Sequence, residues 1–189
     1  MNKKIFLFAS LATVLLASCG DSKKIVIMAS GKVNVTAETI TLDPGTTHNE
    51  KIIDVSAASV KVNNGQSTID IALNEPGVYI LNLKNDTLVG AYQAVGAGRG
   101  ASSISQEALT QKIDSLEQLM TGKNVTAANR NFCIAPMTIA RVTENKAATI
   151  IGPYLKMPTS FEGGKEYEIY KFSTNKEIAE TVGKLKQLQ

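Results

Sequence analysis

Residues 60–73 read VKVNNGQSTIDIAL. Val60 and Val62 alternate with polar neighbours, as do Ile69, Ile71 and Leu73, and Asn64-Gly65 stands between the two runs. A period of two sends alternate side chains to opposite sheet faces. Asn-Gly tolerates the positive φ that a tight hairpin demands. The segment therefore predicts an antiparallel hairpin. The same texture continues on both sides, in Val33 and Val35, in Ile40 and Leu42, and in Ile80-Leu81-Asn82-Leu83. Turn signals punctuate it at Pro44-Gly45, Pro76-Gly77 and Asn85-Asp86. Short strands so spaced predict an antiparallel β-sandwich-like part, or an open barrel, over residues 25–100.

Residues 101–189 predict a second, α+β part. Ser103 and Gln106 have capping-box spacing, and Leu109, Ile113, Leu116 and Met120 form one apolar stripe before Thr121-Gly122. Strand-like runs follow at Phe132-Cys133-Ile134, 137–142, 148–151 and Tyr167-Glu168-Ile169-Tyr170. A last helix starts near Thr174, with Glu177 at capping-box distance and Ile178, Val182, Leu185 and Leu188 on one face. Strands, a helix, strands and a helix make the fold class α+β.

The first residues carry a different signal. Met1-Asn2-Lys3-Lys4 is basic, and the uncharged run from Ile5 to Ala17 is shorter than the roughly 20 residues a spanning helix needs. This is the layout of a secretory signal. Leu16-Ala17-Ser18-Cys19 resembles the lipobox of bacterial lipoproteins, which implies a signal peptide over 1–18 and a diacylglyceryl group on the Cys19 sulfur. Two or three acyl chains hold a protein at a bilayer where one does not. Residues 19–24 would be the lipidated tether, reaching about 20 Å when extended. The expected location is the cell envelope, at the outer membrane, with either face open.

Composition excludes several classes. The full chain carries a net charge of +3, but Lys3 and Lys4 belong to the signal; 18 bases face 17 acids in the remaining 171 residues. No basic stripe appears, so nucleic-acid binding is not expected. Cys133 is the one cysteine left after lipidation. It can form no intrachain disulfide, and its apolar neighbours suit a small buried hydrophobe. His48 is the sole histidine, placed by Pro44-Gly45 in a turn and polar loop, and histidine-rich zinc sites are excluded by count.

Candidate binding residues come from the late aromatics. Tyr154, Phe161, Tyr167 and Tyr170, with Phe172, suit either a ligand-facing surface or the core of the second sheet. Glu162, Glu166 and Glu168 lie among them, but exposed strand carboxylates explain these better than a glycosidase pair. The glycine cluster at 96–100 follows antiparallel-looking strands rather than a βαβ unit, so a nucleotide loop is not expected. No catalytic constellation, metal site or cofactor motif stands out. Asp86-Thr87-Leu88 and Asp114-Ser115-Leu116 resemble short O-glycosylation sites of exported Bacteroidetes proteins, which would make Thr87 and Ser115 acceptors.

The lipobox and the lysine- and asparagine-rich texture resemble uncharacterised Bacteroidetes lipoproteins. Residues 54–79, from Asp54-Val55-Ser56 through Asn64-Gly65 to Glu75-Pro76-Gly77-Val78-Tyr79, are similar in layout to the small β-sandwich module ahead of thioredoxin-like domains. No C-x-x-C pair exists here, so redox activity is not implied. The expectation is a lipid-anchored, non-enzymatic binding or accessory module with an envelope protein or glycan as partner. The alternatives are an envelope enzyme acting on glycan or peptide, and an adhesive or fimbrial-type subunit.

Overall fold

The computed structural model describes residues 22–93, 105–126, 128–152 and 167–189. The expected signal peptide, Cys19, the glycine cluster, Ser103, Tyr154, Phe161, Glu162 and Glu166 lie outside the described residues. Ten strands and two helices are described: β1 (Lys23–Thr36), β2 (Thr39–Val55), β3 (Ser59–Asn63), β4 (Thr68–Ala72), β5 (Gly77–Leu83), β6 (Leu88–Gln93), α1 (Gln106–Met120), β7 (Asn131–Ile134), β8 (Thr138–Thr143), β9 (Thr149–Ile151), β10 (Ile169–Thr174) and α2 (Asn175–Lys186). They form a six-stranded sheet in the order β4-β3-β2-β1-β5-β8 and a four-stranded sheet in the order β7-β6-β10-β9. The class is α+β, as the alternation of patterns predicts.

Three strand pairs are parallel, β1 with β5, β2 with β3 and β9 with β10; the first two depart from the antiparallel arrangement expected over residues 25–100. The central pair explains why. In β1, Ile25-Val26-Ile27-Met28-Ala29 is buried throughout, and every residue of β5 is buried. Strands covered on both faces read as continuous apolar runs rather than alternating ones. Ile25, Ile27, Tyr79, Leu81 and Leu83 join β2, β3 and β4 in one core. Val26, Met28, Val78 and Ile80 face the second sheet, where they meet Leu88, Ile134, Ile150, Tyr170 and Phe172. Each such large side chain contributes about 1.5–3 kcal/mol by leaving water.

The two sequence parts interleave. β6, from before residue 100, lies in the four-stranded sheet, and β8, from after it, completes the six-stranded one. Asn82 anchors the corner where the chain changes sheets. Fully buried, it donates through Nδ2 to the carbonyls of Asp86 (2.9 Å) and Ile134 (2.8 Å), and its Oδ1 accepts from Lys84 N–H. A buried amide so satisfied fixes the turn instead of costing stability.

One expected turn is displaced and another forms. Pro44-Gly45 lies inside β2, where the β1–β2 register jumps from Ser30↔His48 to Gly31↔Pro44, a bulge. Gly31 makes the bulge possible: its φ is +122°, and a Cβ there would stand 2.1 Å from the Asp43 carbonyl. The actual β1–β2 reversal is at Ala37, with φ of 50°. The hairpin at Asn64-Gly65 forms with Val60 opposite Ile71. Its loop closes through the Asn64 side chain, which accepts from Gln66 and Ser67 N–H, while Gly65 supplies the positive φ.

The helices pack on each other through Leu109, Ile113 and Val182, flanked by Leu116, Met120, Ile178 and Leu185. Lys186 meets Glu117 at 2.7 Å across the pair. Ser105, rather than Ser103, is the N-cap of α1, accepting from Ala108 N–H. The capping box of Thr174 and Glu177 on α2 forms as expected, whereas Leu188 lies beyond the helix and is exposed. Among the described residues, no helix is long and apolar enough to cross a membrane.

Candidate functional site: a cleft between the helix pair and the four-stranded sheet

The four-stranded sheet has two unlike faces. Leu88, Tyr92, Phe132, Ile134, Tyr170 and Phe172 point into the sandwich core. Phe172 lies so close over Gly90 that a Cβ there would come within 2.2 Å of its ring. The alternate set, Val89, Ala91, Gln93, Asn131, Lys171 and Ser173, faces the helices and is small or polar. Such a floor cannot fill the space beneath two helices that spend their apolar stripes on each other. A cleft of about 390 Å³ remains, within the roughly 300–1,000 Å³ typical of small-molecule sites.

One wall comes from α1, whose Lys112, Ser115, Leu116 and Leu119 share a face at helical spacing; Ile178 and Thr181 of α2 form the other. Among the described residues, the side chains of Lys112, Ser115, Lys171 and Ser173 engage no hydrogen-bond or ionic partner. Asn131 is half used, its Nδ2 donating to the Asn124 carbonyl at 3.1 Å. No carboxylate is among the described residues that line the cleft.

Glu168 forms a second cluster at the end of the sandwich. Its Oε1 accepts from Thr143 Oγ1 (2.8 Å), Arg130 Nη2 (3.2 Å) and the Tyr170 hydroxyl, and its Oε2 accepts from Asn145 Nδ2 (2.9 Å). Burial, the largest single influence, pushes its pKa up, but the hydrogen bonds from Tyr170, Asn145 and Thr143 and the Arg130 charge outweigh it. The carboxyl is held below its ordinary range. Burial and the same carboxylate push Tyr170 up to about 12. Arg130 also covers the Tyr92 ring, 4.5 Å from its centroid, a cation–π contact. Glu168 is thus a saturated structural acceptor, only 13% exposed, rather than the exposed strand carboxylate expected. A base held ionised by four donors is poorly suited to taking a proton.

The third cluster surrounds the sole histidine. His48 lies in β2 rather than in a loop, exposed, with Nδ1 3.1 Å from Lys84 Nζ. Burial lowers the Lys84 ammonium from its ordinary range, opposed by the charges of Glu50 and Glu177. Among the described residues no group of three or more His, Cys, Asp or Glu could hold a metal ion.

The aromatics expected to form a binding face divide. Tyr170 is 1% exposed, and its ring packs edge-on to Tyr92 and Phe132, both at 5.8 Å between centroids, so it belongs to the core instead of an open platform. Tyr167 is half-buried ahead of β10. Cys133 is half-buried on the helix-facing side of β7, near Gly122, rather than fully enclosed. Thr87 stands in the turn leading to β6, its carbonyl accepting from Asn175 N–H, and Ser115 lines the cleft. Sequence reading missed the cleft because its residues come from five separate elements. The one available signal was the small, polar outward set on β6 and β10. No family model, curated protein or solved structure matches this chain.

Proposed function

We propose that this chain is a lipid-anchored envelope protein whose folded body binds a small ligand in the helix–sheet cleft without catalysing its reaction. The carrying observation is the cleft: Lys112, Ser115, Lys171 and Ser173 converge on it without side-chain partners of their own among the described residues. The lipobox at Cys19 and the short tether support work at a membrane surface. The saturation of Glu168 removes the best-placed carboxylate from acid–base duty.

Two measurements test this reading. Cys19→Ala should move the protein from the detergent phase to the aqueous phase, and retention with membranes would end the anchoring claim. A small-molecule extract of the producing cell's envelope should shift backbone resonances of β6, β10 and α1 saturably in the full chain. Ala91→Leu or Ser173→Leu, placed on the cleft floor, should abolish the shifts with the fold unchanged. No shift with wild type, or equal shifts in both blocked variants, would end the binding claim.

A further inference from the structure

We infer that the cleft selects a small polyhydroxylated organic anion of the sugar-acid class. This rests on the binding reading above and adds the ligand's chemistry.

Charge comes first. Lys112 from the helix wall and Lys171 from the sheet floor line one cleft with no carboxylate among its described lining residues. Among the described residues neither lysine has an ionic partner. Two like charges, one on the wall and one on the floor, with no carboxylate among the described lining residues, focus a positive potential into a partly enclosed space and favour an anion.

The body of the ligand follows from the other groups. Gln93, Ser115, Asn131, Ser173 and Thr181 are uncharged hydrogen-bonding side chains distributed around the lining. The Ser115 and Ser173 hydroxyls have no hydrogen-bond partner among the described residues. Thr181 donates to the Glu177 carbonyl at 2.8 Å and keeps its acceptor capacity. An alkyl chain seated here would strip water from these groups and return no hydrogen bonds, at a cost of roughly 1–3 kcal/mol for each group left unpaired. A ring bearing several hydroxyls replaces the lost water contacts. Val89, Leu116, Leu119 and Ile178 then provide apolar surface for the C–H face of such a ring. The cleft of about 390 Å³ has room for one hexuronic acid, whose six or seven water-sized groups at about 30 Å³ each fill roughly half of it.

The test is titration of the full chain in detergent with sodium glucuronate, glucose and decanoate, read by backbone NMR and by calorimetry. Glucuronate should perturb β6, β10 and α1 saturably and bind about tenfold more tightly than glucose, with affinity falling as salt rises. Lys112→Gln and Lys171→Gln should each weaken glucuronate roughly threefold and weaken glucose by a smaller factor. Equal binding of glucose and glucuronate overturns the anionic assignment. Decanoate binding in preference to glucuronate overturns the hydroxylated one. If none of the three perturbs the cleft while the envelope extract does, the sugar-acid assignment fails and the binding reading stands. If the extract fails as well, both fall.

Discussion

Replacing Glu168 by alanine removes the acceptor for Tyr170, Thr143, Asn145 and Arg130 in one step. The dominant loss is at Tyr170, whose side chain is 1% exposed. Leaving that hydroxyl unpaired costs about 1–3 kcal/mol. The Arg130 pair is half-exposed on the arginine side, 47%, and contributes roughly 0–1 kcal/mol. Thr143 and Asn145 reach water once the carboxylate is gone and lose little. The expected destabilisation is about 1–4 kcal/mol, read as a shift of the urea midpoint at constant slope. Because the largest part is an orphaned hydroxyl, Glu168→Ala combined with Tyr170→Phe should be less destabilised than the two single changes add up to. The pH dependence carries a sign. The folded carboxyl is held below its ordinary value of 4.5, so its contribution is full above that value and is lost as pH falls through the lower folded one. The stability gap between wild type and Glu168→Ala should therefore narrow progressively as pH falls below about 4.5. A Glu168→Ala protein within about 0.5 kcal/mol of wild type at neutral pH, or strict additivity with Tyr170→Phe, would refute the account of Glu168 as the hub of this corner.

Two glycines make further predictions. Gly31→Ala places a Cβ 2.1 Å from the Asp43 carbonyl at a φ of +122°, so the β2 bulge must rearrange; a loss of about 1–3 kcal/mol is expected in urea unfolding, and an unchanged midpoint would contradict the bulge. Gly90→Ala drives a Cβ to 2.2 Å from the Phe172 ring and should cost roughly 1–3 kcal/mol by overpacking. Phe172→Leu in the same background should recover part of that loss, and no recovery would show that the clash lies elsewhere.

Local chemistry made much of the fold legible. Asn64-Gly65 and the alternation of Val60-Lys61-Val62 with Ile69-Asp70-Ile71 forecast a hairpin because turn and period act over a few residues. The Thr174–Glu177 capping box and the Thr121-Gly122 stop were legible for the same reason. Pro44-Gly45 misled, since its turn chemistry was absorbed by a bulge whose cause, Gly31, lies on the neighbouring strand. His48 was misplaced with it.

The sequence by itself determined the element types, the α+β class and the one-sided stripes of both helices, because these depend on periodicity and short-range hydrogen bonding. Only the tertiary structure decided that β1 and β5 run parallel at the centre and are buried on both faces. It also decided that β6 and β8 exchange sheets and that Glu168 gathers donors from β8, the β8–β9 turn and the approach to β7. The cleft belongs to this second group. Lys112 and Lys171 stand 59 residues apart in the chain, and they share one space because the helices bury their apolar stripes in each other above a sheet face too small and polar to meet them.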